Sequence, residues 1–218
     1  MALPRITVLT SGRGSNLAAL LAAERQGKLE GTIATVIVNR PGIPSLDVAT
    51  AHGVPAVVVP HASYPEREAF DTALGEALDA SEPDLVVLAG FMRILGPELV
   101  ARHEGRMLNI HPSLLPSYPG LDTHRRALAD GVRVHGCTVH FVTAALDHGP
   151  IVAQGVVAVH DDDDVASLAA RVLAVEHRLL PAAVRAFCGG RLVIDGSRVH
   201  VKDERVPSAA LEIPAFDS

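Results

Sequence analysis

The sequence has few cysteines and few aromatic residues. It contains two cysteines, Cys137 and Cys188, with five phenylalanines, two tyrosines and no tryptophan. Two cysteines so far apart, each in apolar surroundings, exclude a disulfide framework and a CxxC metal or redox motif. We therefore expect two buried thiols.

Long apolar runs are also missing. No stretch of about 18 consecutive apolar residues occurs, which excludes a membrane-spanning helix of ordinary length. The first five residues lead directly into a short apolar segment, without the apolar stretch and cleavage site of a secretory signal. We expect a cytoplasmic protein with no membrane partner.

Basic residues are in the minority, with 19 lysines and arginines against 25 acidic residues. Both signs are interspersed, so there is no basic face for a nucleic acid polymer and no polybasic membrane patch. The 218 residues, 48% of them hydrophobic, suffice for one sizeable core. We expect a single domain over residues 1–218, with its core at about 5–190 and a hairpin and tail at 191–218. The sequence leaves monomer and homodimer both open.

The first half of the chain alternates short β-branched runs with longer Ala/Leu-rich segments. Strands are predicted at residues 6–9, 33–38, 56–59, 85–88 and 107–110, and helices at 16–25, 44–52, 65–80 and 97–103. Continuous apolar strands separated by helices are typical of an open α/β sheet. We expect a mostly parallel, Rossmann-like sheet with helices on both faces.

The pattern changes after residue 130. Two apolar runs at 137–142 and 151–159 are joined by a linker too short for a crossover helix, so they should pair antiparallel. Four aspartates at 161–164 precede a predicted helix at 165–187, and acidic side chains there can cap the helix and favour its dipole. We adopt this interpretation over a metal site, because the Gly and Glu spacing of a calcium loop is missing. A hairpin is predicted at 191–194 and 198–201.

A glycine-rich turn, residues 10–17 (TSGRGSNL), follows the first predicted strand and enters a helix. Free backbone N–H groups and the positive helix end can hold a phosphate there, which makes Gly14, Ser15 and Asn16 a candidate anion loop. The turn is not a Walker A sequence, and Leu17 stands where a dinucleotide fingerprint has its third glycine. A purely structural turn is the alternative.

Asn109 and His111 lie two residues apart at the end of a predicted strand, so their side chains project from the same face. An amide donor beside an imidazole, at the carboxyl edge of an open α/β sheet, can stabilise an oxyanion and move a proton. A structural role for His111 is an equal alternative.

A carboxylate, Asp147, lies in the tight turn at 147–150 (DHGP) between the two later strands. If Asp147 folds back onto His111, it would fix the tautomer of the ring and favour the protonated, proton-donating form. An Asx-turn before Gly149 explains Asp147 equally well.

Six short motifs occur together in this chain. They are residues 11–16 (SGRGSN), 88–95 (LAGFMRIL), 109–116 (NIHPSLLP), 118–121 (YPGL), 139–142 (VHFV) and 176–177 (EH). Together they resemble the folate-dependent formyltransferase family, over about residues 5–190. The segment 109–116 is common to the wider family, whereas YPGL and EH resemble the members that act on glycinamide ribonucleotide. The resemblance implies the formyltransferase fold.

The resemblance also implies roles for particular residues. It implies a catalytic trio and a nucleotide site, namely Asn109, His111 and Asp147 for catalysis, Gly14, Ser15 and Asn16 for the substrate phosphate, and Glu176 for the ribose. It implies folate binding by Arg67, Met92, Arg93, Ile94, Leu95 and Asn109. His140 matches a further active-site position, although core packing at the strand end explains it equally well. Arg13 departs from the family pattern, which often has asparagine.

The implied reaction transfers the formyl group of 10-formyltetrahydrofolate to the amine of glycinamide ribonucleotide in de novo purine biosynthesis, without a metal. A formyltetrahydrofolate hydrolase and a methionyl-tRNA formyltransferase are alternatives that share the motif. They resemble this chain plus an N-terminal regulatory domain or a C-terminal RNA-binding domain, and we expect neither extension within 218 residues. A non-catalytic nucleotide sensor would not need the trio, so we expect the transferase.

Overall fold

A computed structural model describes residues 2–203 of the chain. Its strands are β1 (Arg5–Thr10), β2 (Thr32–Val38), β3 (Ala56–Val58), β4 (Leu85–Leu88), β5 (Met107–His111), β6 (Val134–Phe141), β7 (Ile151–Ala158), β8 (Leu192–Asp195) and β9 (Arg198–Val201). Its α-helices are α1 (Ser15–Arg25), α2 (Pro44–Ala51), α3 (Arg67–Ser81), α4 (Pro97–Arg102), α5 (Thr123–Ala129) and α6 (Val165–Cys188).

All of these strands belong to one sheet, in the order β3-β2-β1-β4-β5-β6-β7-β9-β8. Strands β1 to β5 pair parallel with their neighbours. Strand β6 is antiparallel to both β5 and β7, and the β8–β9 hairpin joins the sheet through β9. The predicted fold class, a mostly parallel α/β sheet with an antiparallel C-terminal part, is confirmed.

Helices cover both faces of this sheet. The alternating direction of the side chains along β1 shows which helices pack on each face. Ile6 and Val8 pack into one core with α1 and α6, whereas Leu9 packs into a second core with α3 and α4. Thr7 points to the same side as Leu9 and shares a 2.7 Å hydrogen bond with Ser81 of α3. Because successive side chains of a strand point to opposite faces, each central strand contributes to both cores.

Two elements begin two or three residues away from their predicted starts, and one short helix is additional. Helix α3 begins at Arg67, because Glu66 has an extended backbone and occupies the N-cap. Strand β6 begins at Val134, which pairs with Ala158 of β7, so strand pairing and not apolarity sets this end. A short 3-10 helix at His61–Ser63 was not predicted.

Helix α6 begins with the predicted acidic cap. The Asp164 carboxylate accepts the Ser167 N–H at 2.7 Å, and the Ser167 side chain accepts the Asp164 N–H in return. The Arg171 guanidinium beside Asp163 holds the pKa of that carboxyl well below its ordinary value. The aspartate run therefore starts a helix, as predicted.

Both cysteines are free thiols, but only Cys137 is buried. Cys188 is the last residue of α6 and is partly exposed, so the expectation of two buried thiols is wrong for Cys188. In residues 2–203, no helix is both long and apolar enough to cross a membrane. The same part of the chain has no group of three or more His, Cys, Asp or Glu side chains able to hold a metal. The predicted tail lies outside the described residues from 204 onward.

Candidate functional site

Strand β5 places Asn109 and His111 on one face, and the neighbouring strand completes the group. Asn109 lies directly opposite His140 of β6. The loop between β6 and β7 folds back so that Asp147 reaches both histidines, at 3.5 Å from His111 Nδ1 and 3.9 Å from His140 Nε2. The structure thus brings Asn109, His111, His140 and Asp147 into one cluster, in which the side chains of the two histidines and Asp147 are buried and Asn109 is half-buried.

Asp147 is held in place from two sides. Its Oδ2 accepts the Gly120 backbone N–H at 2.8 Å and faces His111 Nδ1. Asp147 itself has a φ of 50°, in the left-handed region that asparagine and aspartate tolerate best after glycine. The sequence left open whether Asp147 folds back onto His111 or only forms an Asx-turn. The geometry is that of the carboxylate folded back onto His111.

Hydrogen bonding determines the state of the His111 ring. Its Nε2 lies 2.9 Å from the Tyr118 carbonyl oxygen, which can only accept, so Nε2 carries a hydrogen. With Nε2 protonated, a neutral ring would direct its Nδ1 lone pair at the Asp147 carboxylate. A hydrogen on Nδ1 would instead point at this carboxylate, 3.5 Å away, so Tyr118 and Asp147 offer one acceptor to each ring nitrogen.

The His140 ring lies between one acceptor and one donor. Its Nδ1 lies 2.9 Å from the Phe141 carbonyl and must donate, which leaves Nε2 to accept the Asn109 side-chain N–H at 3.1 Å. Burial lowers the pKa of His140, against the opposing effects of that carbonyl and of Asp147. A neutral His140 therefore orients the Asn109 amide, whose second N–H has no acceptor among residues 2–203 and can donate to a ligand.

The candidate anion loop lies at the start of α1. The first intrahelical bond runs from the Ala18 N–H to the Gly14 carbonyl, so the N–H groups of Ser15 and Asn16 lie in the first turn, which has no intrahelical acceptors. Gly14 is in the left-handed region, with a φ of 76°, and packs against Ser45 of α2. This geometry fits an anion at the positive end of the helix.

Glu176 reaches this loop from α6. Its Oε2 accepts the Asn16 side-chain N–H at 2.7 Å, and both side chains are buried. Burial raises the pKa of Glu176, while the Asn16 hydrogen bond and the charge of His111 lower it. The predicted phosphate and ribose residues therefore lie side by side, within electrostatic reach of the trio.

Four of the six predicted folate residues, namely Arg93, Ile94, Leu95 and Asn109, line a cleft that Asp147 also borders, whereas Arg67 and Met92 do not line it. Arg93, Ile94 and Leu95 form one wall, and the loop 142–147 forms the other. Arg67 lies behind this wall and donates to the Leu95 carbonyl at 2.8 Å. Met92 is largely exposed, and its N–H donates to Ser11 Oγ at 2.8 Å. This hydrogen bond connects the segment 92–95 to the glycine-rich turn that contains the anion loop.

The sequence did not reveal how the loop after β5 is supported. Tyr118 and Gly120 contribute backbone groups to the trio, and no pattern of side-chain types indicates such contacts. Below them, His124 and His135 lie 3.2 Å apart, and the His135 ring packs edge-on against Tyr118. Burial, with His124 next, lowers the pKa of His135 to about 4. Two histidines on neighbouring elements were visible in sequence, but not their contact.

The fold is that of a formyl transferase. Residues 4–184 match the Formyl transferase family model, and the chain belongs to this family. It is 43% identical over 202 residues to the phosphoribosylglycinamide formyltransferase of Escherichia coli (strain K12), covering 93% of this chain and 95% of that protein.

Solved structures agree with this assignment. Glycinamide ribonucleotide transformylase 1 from Symbiobacterium toebii matches with a TM-score of 0.90 and 50% identity, over 92% of this chain and 95% of that one. A formyltetrahydrofolate deformylase from Pseudomonas syringae pv. tomato matches with a TM-score of 0.87 and 31% identity, over 92% of this chain but 66% of that one. The likeness to the deformylase is therefore weaker in sequence and covers less of the matched protein.

Proposed function

We propose that this enzyme transfers the formyl group of 10-formyltetrahydrofolate to the amine of glycinamide ribonucleotide, in purine biosynthesis. The observation that carries the proposal is the proximity of two half-sites. An anion loop joined to the buried Glu176 lies within electrostatic reach of His111 in the acid–base cluster. A hydrolase would have no use for the nucleotide half. Relatives named for this activity match nearly the whole chain, at 43 to 50% identity.

In the proposed reaction, the amine of the ribonucleotide attacks the formyl carbon and a tetrahedral intermediate with a negative oxygen forms. The free N–H of Asn109 donates to that oxygen, and the positive charge of protonated His111 stabilises it. Removing one such donor typically lowers the rate by about a hundred- to a thousandfold. When the intermediate collapses, the bond from carbon to the folate nitrogen breaks and the formyl group stays on the amine.

A proton must move from the attacking amine to the departing folate nitrogen. Asp147 keeps His111 protonated and orients the water that carries this proton. Its Oδ2 is already engaged by Gly120 and His111, so Oδ1 is the oxygen left to hold the water. His111 Nε2 is on the Tyr118 carbonyl here, so a direct bond from Nε2 to substrate requires the Tyr118 loop to move.

The ribonucleotide and the folate bind in different parts of the site. The backbone of Gly14, Ser15 and Asn16 holds the substrate phosphate, and Glu176 binds the ribose hydroxyls. The folate is received by the cleft, with contacts from Arg67, Met92, Arg93, Ile94, Leu95 and Asn109. His140 acts by orienting Asn109 and not by touching the formyl group.

We further propose that residues 1–218 act as one formyltransferase domain in the cytoplasm, as a monomer or a homodimer. The two cores on either side of a single sheet support one folding unit. Light scattering coupled to size exclusion, at several protein concentrations, separates monomer from homodimer. A larger species at all concentrations would contradict this part of the proposal.

The reaction is tested by following loss of 10-formyltetrahydrofolate with and without glycinamide ribonucleotide. We expect consumption to depend on the ribonucleotide and to yield the formylated ribonucleotide in equal amount. Rapid consumption without the ribonucleotide, unchanged in Glu176→Ala, would overturn the transferase and establish a hydrolase.

A further inference from the structure

Asn16 takes part in the nucleotide site in two different ways. Its backbone N–H lies in the first turn of α1, in the loop proposed to hold the substrate phosphate. Its side chain turns away from the loop and donates to Glu176, a residue 160 positions further along the chain. One residue therefore connects the two parts of the site.

The orientation of the Asn16 amide is imposed by Glu176. The amide oxygen, Oδ1, is buried and has no hydrogen-bond partner among residues 2–203. An unpaired buried acceptor is unfavourable, because it has given up its hydrogen bonds to water. Flipping the amide would bring Oδ1 against the Glu176 carboxylate, where two acceptors repel. The observed orientation is thus the one that an ionised Glu176 selects.

Glu176 in turn depends on its neighbours to stay ionised. It is only 7% exposed, and a buried carboxyl gives up its charge unless donors or positive charges compensate. The groups of the packed elements that act on it are Asn16 of α1 and His111 of β5, with the neutral Cys137 thiol of β6 nearby. Asn16 is the only one of them hydrogen-bonded to the carboxylate in the described chain.

The ionised form matters because sugar hydroxyls are donors. A carboxylate offers only acceptor lone pairs, whereas a protonated acid loses part of this capacity and adds a competing donor. Because Oε2 of Glu176 already accepts a hydrogen bond from Asn16, Oε1 is the oxygen available to accept from a pair of sugar hydroxyls. The bond to Asn16 also restricts the direction in which the carboxylate points.

We propose that Asn16 is a positioning residue that couples the two parts of the nucleotide site, its side-chain amide holding Glu176 ionised and aimed at the sugar hydroxyls. The inference rests on the proposed function for the identity of the sugar. The backbone that binds the phosphate at the start of α1 and the carboxylate that binds the ribose from α6 are then connected through a single residue.

A double-mutant cycle tests the coupling. We expect Asn16→Ala to raise the KM for glycinamide ribonucleotide by about ten- to a hundredfold, the range for losing a hydrogen bond to a charged group, with kcat little changed. In a Glu176→Gln background the same substitution should change KM by less than about threefold, because the charge it serves is gone. Full additivity of the two effects would overturn the proposal.

A second measurement does not depend on catalysis. The Glu176 carboxyl can be titrated by NMR with δ-13C-glutamate, its signal assigned by its loss in Glu176→Gln. We expect Asn16→Ala to raise the midpoint by about one pH unit or more, and Asn16→Asp, which keeps the shape but removes the donor, to raise it as well. Asn39→Ala removes another buried asparagine, at the end of β2, and should leave the midpoint unchanged.

An unchanged midpoint in both Asn16 variants would overturn the inference, even if the wild type formylates the ribonucleotide. A wild type without transferase activity would instead refute the proposed function and leave this titration decisive for the coupling.

Binding of inorganic phosphate distinguishes the role of the Asn16 side chain from that of its backbone N–H. Because Asn16→Ala keeps the backbone N–H, the affinity for inorganic phosphate should change by less than about threefold. A fall in phosphate affinity as large as the rise in KM would overturn the inference, because it would show that Asn16 only maintains the loop.

Discussion

Replacing Gly14 by alanine tests the anion loop at its tightest point. A Cβ at this position would lie 2.8 Å from Cβ and 2.9 Å from Cα of Ser45, and the backbone has a φ of 76°. Ser45 is held where it is, because it is fully buried and its N–H donates to the Gly12 carbonyl at 3.2 Å. The methyl group can be accommodated only if α2 or the loop moves.

The expected size of the effect follows from these two contacts. The left-handed conformation is unfavourable for alanine by about 1–2 kcal/mol, and forcing an extra methyl into a filled interior costs about 1–3 kcal/mol. We therefore expect a loss of about 2–5 kcal/mol in the free energy of unfolding if the loop stays in place. If the loop moves, the strain appears instead as weaker phosphate binding, about tenfold in KM for each 1.4 kcal/mol.

The assay combines thermal unfolding with steady-state kinetics in glycinamide ribonucleotide. Gly14→Ala should lower Tm by at least about 4 °C or raise KM for the ribonucleotide at least about tenfold, with the KM for the folate unaffected. Gly12→Ala is the matched control, because a Cβ there meets no atom within 4 Å. An unchanged Tm together with an unchanged KM in Gly14→Ala would refute the reasoning.

Three further predictions follow from other parts of the site and core. His111→Ala should lower kcat by about a hundred- to a thousandfold with KM nearly unchanged, because its charge matters most as the oxyanion forms; a change confined to KM would contradict this. Arg67→Ala should raise KM for the folate about tenfold and spare that for the ribonucleotide, since Arg67 supports the cleft wall through the Leu95 carbonyl at 2.8 Å; equal KM increases would contradict it. Burial lowers the pKa of His103, whose ring nitrogens have no partner among residues 2–203. The unfolded chain therefore binds this proton more readily, and stability falls as the pH drops through about 6.5. His103→Leu should abolish this contribution and add about 1 kcal/mol at pH 7.5, measured by urea unfolding at pH 5 and 7.5; an unchanged pH dependence would contradict it.

Much of the fold could be predicted because its signals are local. The apolar runs that became β1, β2 and β4 lie in the interior of the parallel part of the sheet, so they are largely hydrophobic on both faces and stand out in the sequence. The short linker before β7 permits only an antiparallel return. The i, i+2 spacing of Asn109 and His111 places them on one face of any strand.

The sequence by itself thus determined the order of strands and helices, the class of the sheet, the acidic cap of α6 and the shared face of Asn109 and His111. The tertiary structure alone decided which distant groups meet: Asp147 on His111 and Gly120, Asn16 on Glu176, and His140 against Asn109. Local patterns reflect backbone preferences and periodic burial, which act over a few residues. The path of a loop and the pairing of buried polar groups depend instead on packing across the whole domain, because a polar side chain in the interior must find whichever partner the surrounding elements bring within reach.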